Sequence, residues 1–312
     1  MPDPRPRLAG VPDPVTVRVP AKVNLHLGVG RLRPDGFHPV TTVLQAVSLY
    51  DEITATAAAR LSVQVKGEGA GQVPLGEDNL AARAARVLAE RAGVGAGVHL
   101  SITKAIPVAA GMAGGSADAA AALVACDALW QTGLHRDELT ELAAGLGSDV
   151  PFGLTGGTAL GSGRGERLSP VLAKGQYHWV FALADGGLST SAVYAERDRM
   201  QAEVPAVEAL PPDEVIAALR AGDAAALGRV LTNDLQAPAL RLRPTLARTL
   251  EAGSELGVLG AVVSGSGPTC AFLARSPQDA IRLAASLAGA GVCRTVRRGV
   301  GPVIGARIID PA

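Results

Sequence analysis

The chain has 312 residues, about twice a usual single-domain length, so two domains or one large one are expected. With 48% hydrophobic and 19% charged residues it can bury a sizeable core, which excludes a disordered chain. Lysine plus arginine, 29, equals aspartate plus glutamate, 29, so no global charge steers it toward nucleic acid or an anionic membrane.

In chain order, residues 1–14 are proline-rich and polar and read as a flexible tail. They carry no apolar leader, and the three widely spaced cysteines, an odd number, fit a reducing cytoplasm as the expected location. Val15 to Val19 and Val23 to Val29 alternate apolar and polar around Pro20, which predicts a strand pair or one long bent strand. Further strands are predicted over 49–57 and 61–65, an amphipathic helix over 79–91, a strand over 98–104, a buried alanine-rich helix over 117–130 and a short helix over 137–145. The texture changes near residue 170. Beyond it the pattern predicts a strand over 178–184, helices near 191–200, 213–221, 223–231 and 237–252, two strands within 260–274, a helix over 277–289 and strands over 293–298 and 303–309. That order implies an α+β second domain, with helices on one face of a mainly antiparallel sheet.

Three of the most glycine-dense stretches lie between predicted elements. Pro107 to Ser116 joins a strand to the buried helix, a placement that aims unpaired backbone N–H groups and a positive helix end at whatever lies in front. Gly111, Gly114 and Gly115 would let a phosphate approach the main chain, and the Ser116 hydroxyl could meet a phosphate oxygen or magnesium. The alternative is a tight turn with Ser116 or Asp118 capping the helix. The spacing is neither a P-loop nor a dinucleotide fingerprint. The other two stretches are Gly153 to Gly165 and Ser264-Gly-Ser-Gly267, the latter a hairpin turn or a second anion nest.

Period two places Lys22, Asn24 and His26 on one strand face, either to organise a phosphoryl group or as a solvated face. Asp149, in Gly147-Ser-Asp-Val-Pro151, is expected at an extended corner before proline, as a proton acceptor or a turn residue. Arg33-Pro-Asp-Gly-Phe-His38 combines a turn with an aromatic ring and a histidine. Cys126, Cys270 and Cys293 form no CxxC, and the five histidines no ligand cluster, so neither a disulfide framework nor a zinc site is expected. There is no Gly-x-Ser-x-Gly elbow or His-Glu-x-x-His.

Pro20-Ala-Lys-Val-Asn-Leu25, the 107–116 loop and Ser264-Gly-Ser-Gly-Pro268, in this order, resemble the GHMP kinase superfamily. Adding Arg33 to His38, Gly114-Gly-Ser-Ala-Asp-Ala-Ala120, Ser148-Asp-Val-Pro-Phe152, Gly163-Arg-Gly-Glu-Arg-Leu168 and Thr232-Asn-Asp-Leu235 narrows the resemblance. It then falls on the branch that phosphorylates the 2-hydroxyl of a cytidine diphosphate-linked methylerythritol in non-mevalonate isoprenoid synthesis. The resemblance implies a two-domain α+β fold with the active site in the cleft between: a β-rich ATP-binding domain over 15–170 and a ferredoxin-like α+β domain over 171–312. It makes Asp149 the general base and Lys22 its partner, with Asn24, Phe37, His38 and Tyr194 on the substrate. Pro107, Gly111, Met112, Ala113, Gly114, Gly115 and Ser116 would hold ATP phosphates with Mg²⁺, and Asn79 and Lys104 the adenosine. Ala117 stands where some relatives have a second serine, leaving Ser116 as the hydroxyl for magnesium. A small-molecule substrate and a monomer or homodimer are implied. The rivals are a homoserine or mevalonate kinase on the same fold, and a catalytically silent nucleotide- or RNA-binding regulator, which the presence of both Lys22 and Asp149 disfavours.

Overall fold

The computed structural model describes residues 12–202 and 211–309, so all but the end of the expected tail lies outside the described residues. The first half runs β1 (Val15–Val29), β2 (Val40–Ala57), β3 (Ser62–Gly67), α1 (Leu80–Ala92), β4 (Val98–Lys104), α2 (Gly114–Trp130), α3 (Arg136–Leu146), α4 (Val150–Thr155), β5 (Thr158–Ser162) and β6 (Arg167–Pro170). The second runs β7 (Tyr177–Leu183), α5 (Thr190–Ala202), α6 (Asp213–Ala221), α7 (Ala224–Val230), β8 (Thr232–Asn233), α8 (Gln236–Leu242), α9 (Thr245–Glu255), β9 (Gly260–Val263), β10 (Cys270–Ala274), α10 (Pro277–Gly289), β11 (Thr295–Gly301) and β12 (Arg307–Ile309).

The alternating segments on both sides of Pro20 form one strand, β1, antiparallel to β2 with register shifts at Pro20/Ala21 and between Asn24 and His26. Pro20 lacks an N–H for the ladder, and a register break is where a strand tolerates it. The second shift corrects the expected face. One extra residue, Leu25, breaks the period, so Leu27 follows Lys22 and Asn24 onto the cleft wall while His26 is only 1% exposed.

β1 sits centrally in a sheet ordered β12-β1-β2-β4-β3, with β5 and β6 extending from β2 and β8 parallel to β1. Val17, Val19 and Val23 of β1, Ile53 of β2 and Leu100 and Ile102 of β4 share a buried cluster with Leu123, Cys126 and Leu129 of α2. Each large side chain so buried contributes about 1.5–3 kcal/mol. Alanines along α1 and α2 keep that layer thin. Asn79 caps α1 by accepting from the backbone N–H groups of Ala81 (3.0 Å) and Ala82 (3.1 Å).

The second sheet is antiparallel throughout, in the order β11-β7-β10-β9. With α10 between β10 and β11, and the β7–β9 crossover enlarged into α5 to α9, this is the ferredoxin-like β–α–β–β–α–β arrangement. Val180, Phe272, Leu246 and Leu283 fill its core. The chain then returns to the first sheet, where β12 pairs with β1 from Thr16↔Ile309 to Arg18↔Arg307.

Several elements differ from expectation. β2 begins nine residues before the expected Leu49, and β6 and α4 were not predicted. The helix expected over 237–252 breaks at Pro244 into α8 and α9, because proline removes an N–H and crowds the preceding turn.

Candidate active site

A cleft of about 1010 Å³ is lined by β1, by the loop before α2, by Ser148 and Asp149, by the β5–β6 turn, by α5 and by Gly265 to Gly267. All three glycine-rich stretches contribute to its wall.

The loop before α2 is built from left-handed backbone: Ala109 (φ 51°), Gly111 (φ 74°) and Ala113 (φ 59°). At Gly111 a Cβ would fall 2.1 Å from the Ser264 carbonyl oxygen, so only glycine lets the first and third loops meet. There Ser264 Oγ donates to Gly111 O at 3.1 Å. α2 starts at Gly114 rather than Ala117, and no side chain caps it. Its first backbone bond runs from Ala117 N to Ala113 O (2.8 Å), so the N–H groups of Gly114, Gly115 and Ser116, all on the cleft wall, lack a helical acceptor. The capped-turn alternative therefore fails, leaving an anion-ready helix end. Gly111, Ala113, Gly114, Gly115 and Ser116 line the cleft; Pro107 and Met112 do not. Met112 is fully buried, and its carbonyl accepts from Lys22 N at 3.3 Å, tying the loop to β1.

Opposite this helix end, Lys22 Nζ donates to Asn24 Oδ1 at 2.6 Å and lies 3.9 Å from Asp149 Oδ2. Asn24 Nδ2 donates to Thr42 Oγ1 (2.9 Å), whose hydroxyl donates to His26 O (2.7 Å), so the amide is fixed with its oxygen toward the lysine. Burial pushes the Lys22 ammonium below the ordinary lysine value, and the Asp149 charge pulls it part of the way back. Asp149 is not the extended corner expected. It is right-handed helical (φ −89°, ψ −9°) and precedes α4, because Val150 intervenes before Pro151 and proline is tolerated in a first helical turn. Its side chain caps nothing and stays 37% exposed toward the cleft.

The third loop is held by residues whose role sequence reading left unassigned. Asn233 Nδ2 donates to the carbonyls of Val263 and Gly265, each at 2.7 Å, while Asn233 Oδ1 accepts from Leu235 N at 2.8 Å. Asp234 Oδ2 accepts from Val29 N at 2.8 Å. Thr232-Asn-Asp-Leu235 thus fastens the end of β1 to Gly265. A Cβ on Gly265 (φ 55°) would sit 3.0 Å from Lys22 Nζ.

The far end of the cleft is aromatic. Phe37, His38 and Tyr194 all line it, with the His38 and Tyr194 ring centroids 5.0 Å apart. His38 Nε2 is 2.8 Å from Asp198 Oδ1. Burial raises the Tyr194 phenol to about 12, with the Asp149 charge adding to it, so the ring stays neutral. Arg197 donates to the carbonyls of Val29 and Gly30 and anchors α5 to β1. Neither Asp198 nor Arg197 was foreseen. Arg164 also reaches the cleft and lies 4.9 Å over the Phe37 ring.

Asn79 and Lys104 line a second pocket, about 140 Å³, behind Gly115. Their side chains are already committed: Asn79 caps α1 and donates to Pro74 O (2.7 Å), and Lys104 Nζ bonds Asp51 and Asp118 (2.7 Å to Asp118 Oδ2). Asp51 Oδ1 accepts from Ala105 N (2.7 Å) and Ile106 N (2.8 Å). Burial works against the Lys104 charge, but the two carboxylates outweigh it and raise its pKa. Asp118, the excess acid, is raised to about 8, chiefly by burial and with Asp51 adding to it against the Lys104 charge.

The chain matches the GHMP kinases N terminal domain over residues 79–159 and the GHMP kinases C terminal domain over 215–293. It is 58% identical over 304 residues to the 4-diphosphocytidyl-2-C-methyl-D-erythritol kinase of Nocardia farcinica, covering 97% of this chain and 99% of that one. The Streptomyces coelicolor protein of the same name is 58% identical over 297 residues, 95% of this chain and 99% of that one. A crystal structure of 4-(cytidine 5'-diphospho)-2C-methyl-D-erythritol kinase, 35% identical, aligns with a TM-score of 0.75 over 91% of this chain and 98% of that one. A homoserine kinase from Cytophaga hutchinsonii shares the fold at 17% identity and a TM-score of 0.73. The chain belongs to the GHMP kinases, and within them to the 4-diphosphocytidyl-2-C-methyl-D-erythritol kinase family.

Proposed function

We propose that this chain transfers the γ-phosphoryl group of ATP to the 2-hydroxyl of 4-(cytidine 5'-diphospho)-2-C-methyl-D-erythritol. The observation that carries the reading is the placement of Lys22 and Asp149, 3.9 Å apart, in one cleft with the uncapped end of α2 and with Phe37, His38 and Tyr194. The α2 end supplies donors for the ATP phosphates, and the aromatic end suits a pyrimidine ring.

In this reading the 2-hydroxyl enters beside Asp149, whose carboxylate takes its proton as the oxygen bonds to the γ-phosphorus and the bond to the ADP oxygen breaks. Lys22 holds the Asp149 carboxylate in place and neutralises charge on the transferring group. Asn24 fixes the lysine and presents its amide to the substrate. The donor set suits magnesium brought in on the nucleotide: the described residues hold no cluster of three metal-ligating side chains, and Ser116 adds one hydroxyl beside the phosphate end. When bound, that ion neutralises phosphate charge. Asn79 and Lys104 frame the adenosine end through the second pocket, contributing its walls rather than free side-chain donors.

Division of the chain near residue 170, with the cleft between the two halves, belongs to the same proposal, as does a cytoplasmic location. Among the described residues no helix is long and apolar enough to cross a membrane. The test is ADP release with the cytidine-linked alcohol, homoserine and mevalonate in turn. Turnover with the first alone is expected, and turnover only with either of the others would overturn the substrate assignment.

A further inference from the structure

We propose that Glu68 is a positioning residue for ATP: clamped by Arg294 and Arg297 at the edge of the second sheet, it holds the run of chain that walls the second pocket. The inference rests on the function proposed above, in which that pocket takes the adenosine.

Glu68 follows β3 and begins the run that leads to Asn79, the cap of α1. Within that run Gln72, Val73 and Pro74 wall the second pocket, facing Val108 and Gly115 from the α2 end. No residue from 68 to 78 is buried, and the turns that shape the run close locally, by Gln72 N to Gly69 O (2.9 Å) and Asn79 N to Gly76 O (3.1 Å). Backbone without buried apolar contacts sits at the low end of local stability, so the position of this wall depends on how its ends are tied. Asn79 ties the far end, through the N–H groups of α1 and through Pro74 O.

Glu68 ties the near end in two directions. Its N–H donates to Lys104 O (3.0 Å), and a Cβ on Gly67 would fall 2.2 Å from the same oxygen, so the main chain is pressed against the end of β4. Its side chain turns to the other sheet, where Oε1 accepts from Arg294 and Oε2 from Arg297, each at 2.9 Å. Both arginines start from fixed backbone: Arg294 N donates to Leu183 O (2.8 Å), and Arg297 pairs with Phe181 in the β11–β7 ladder. Burial alone would raise the Glu68 carboxyl, but the hydrogen bonds and charges of the two arginines outweigh it and lower its pKa. One carboxylate shared by two guanidinium groups and only 20% exposed is a firmer tie than an isolated surface pair. Glu68, Arg294 and Arg297 line neither the cleft nor the second pocket, so they act on a nucleotide only through the run they hold.

The test is calorimetry of ATP and of inorganic tripolyphosphate on wild type, Glu68→Gln, the pair Arg294→Gln with Arg297→Gln, the three changes together, and Glu77→Gln, on the same run with a side chain 90% exposed. Removing a carboxylate from a protein that binds a polyanion should, by charge alone, tighten ATP. The clamp predicts the opposite sign: Glu68→Gln raises Kd for ATP about 3- to 10-fold, the scale of a partly exposed charge-assisted pair. The triple variant should bind ATP no more weakly than the arginine pair, because the three side chains make one tie, and Glu77→Gln should match wild type. Tripolyphosphate can reach the α2 end without the adenosine pocket, so Glu68→Gln should bind it as wild type does, a contrast that general loss of structure would not give. Unchanged or tighter ATP binding in Glu68→Gln, additive losses in the triple variant, or equal weakening of tripolyphosphate would overturn the assignment. A wild type that binds ATP yet fails to phosphorylate the cytidine-linked alcohol would remove the proposed substrate, while the ATP-against-tripolyphosphate comparison still decides Glu68.

Discussion

Lys22 Nζ lies 3.9 Å from Asp149 Oδ2, close enough for the carboxylate to act on the ammonium's ionisation yet open enough for a hydroxyl to approach the carboxylate. Because burial lowers the Lys22 pKa and Asp149 raises it, removing Asp149 must lower it further. The residual activity of Asp149→Asn should therefore lose its alkaline limb at a lower pH than wild type, in a pH–rate profile. A limb that stays put or moves upward would mean that the two side chains are not coupled as described.

Gly115 offers a separation of binding from folding. A Cβ there meets nothing nearer than Leu80 Cδ1 at 3.6 Å, whereas one at Gly111 collides with the third loop. Gly115→Ala should leave the melting temperature level or slightly higher, since alanine favours the helix by up to about 1 kcal/mol. The same methyl stands where phosphate approaches the α2 end, so KM for ATP should rise at least about 10-fold. Gly111→Ala should instead destabilise the fold, as a melting curve will show.

Asn233 is the fastener of the third loop. Losing its side chain leaves the carbonyls of Val263 and Gly265 without their donor, and each buried unsatisfied group costs about 1–3 kcal/mol. Asn233→Ala should lower the unfolding free energy by about 2–4 kcal/mol in urea titrations. Asn233→Asp should be worse still at neutral pH, because a carboxylate would face two carbonyl oxygens.

The buried triad behind the α2 end predicts a stability profile. The Asp118 carboxyl titrates near 8 in the folded chain and at 3.8 in the unfolded reference, so between these values the folded state binds more protons. Its contribution is fully present below pH 3.8 and is lost as pH rises to about 8. Asp118→Asn removes that slope, and its stability relative to wild type should improve from pH 5 to pH 8. An unchanged difference across that range would contradict the assignment of the excess charge.

Much of this was legible in the chain because local signals were strong. The strand at 98–104 and the helices at 213–221 and 277–289 fall where periodicity places them, and Lys22, Asn24, Phe37, His38, the glycine loop, Asp149 and Tyr194 all reach one cleft. What escaped depends on contacts that no local pattern encodes. The extra residue at Leu25 that turns His26 away is set by pairing with β2, and period two cannot reveal it. The Lys104 triad joins groups 53 and 14 residues apart, so Lys104 read as a ligand-binding cation rather than as a neutralised one. Asn233 was visible as a motif, but its work lies in carbonyls 30 and 32 residues away. The start of α2 at Gly114, three residues before the expected Ala117, likewise settles between the two readings of that loop, since no side chain caps the helix.

The most direct test of the account is the single-turnover rate of phosphoryl transfer to the cytidine-linked alcohol, with both substrates saturating, in wild type and Asp149→Asn. Loss of a positioned general base predicts a fall of roughly 10²–10⁴-fold with CDP binding retained. A rate near that of wild type would contradict Asp149 as the base and with it the chemistry assigned to this cleft.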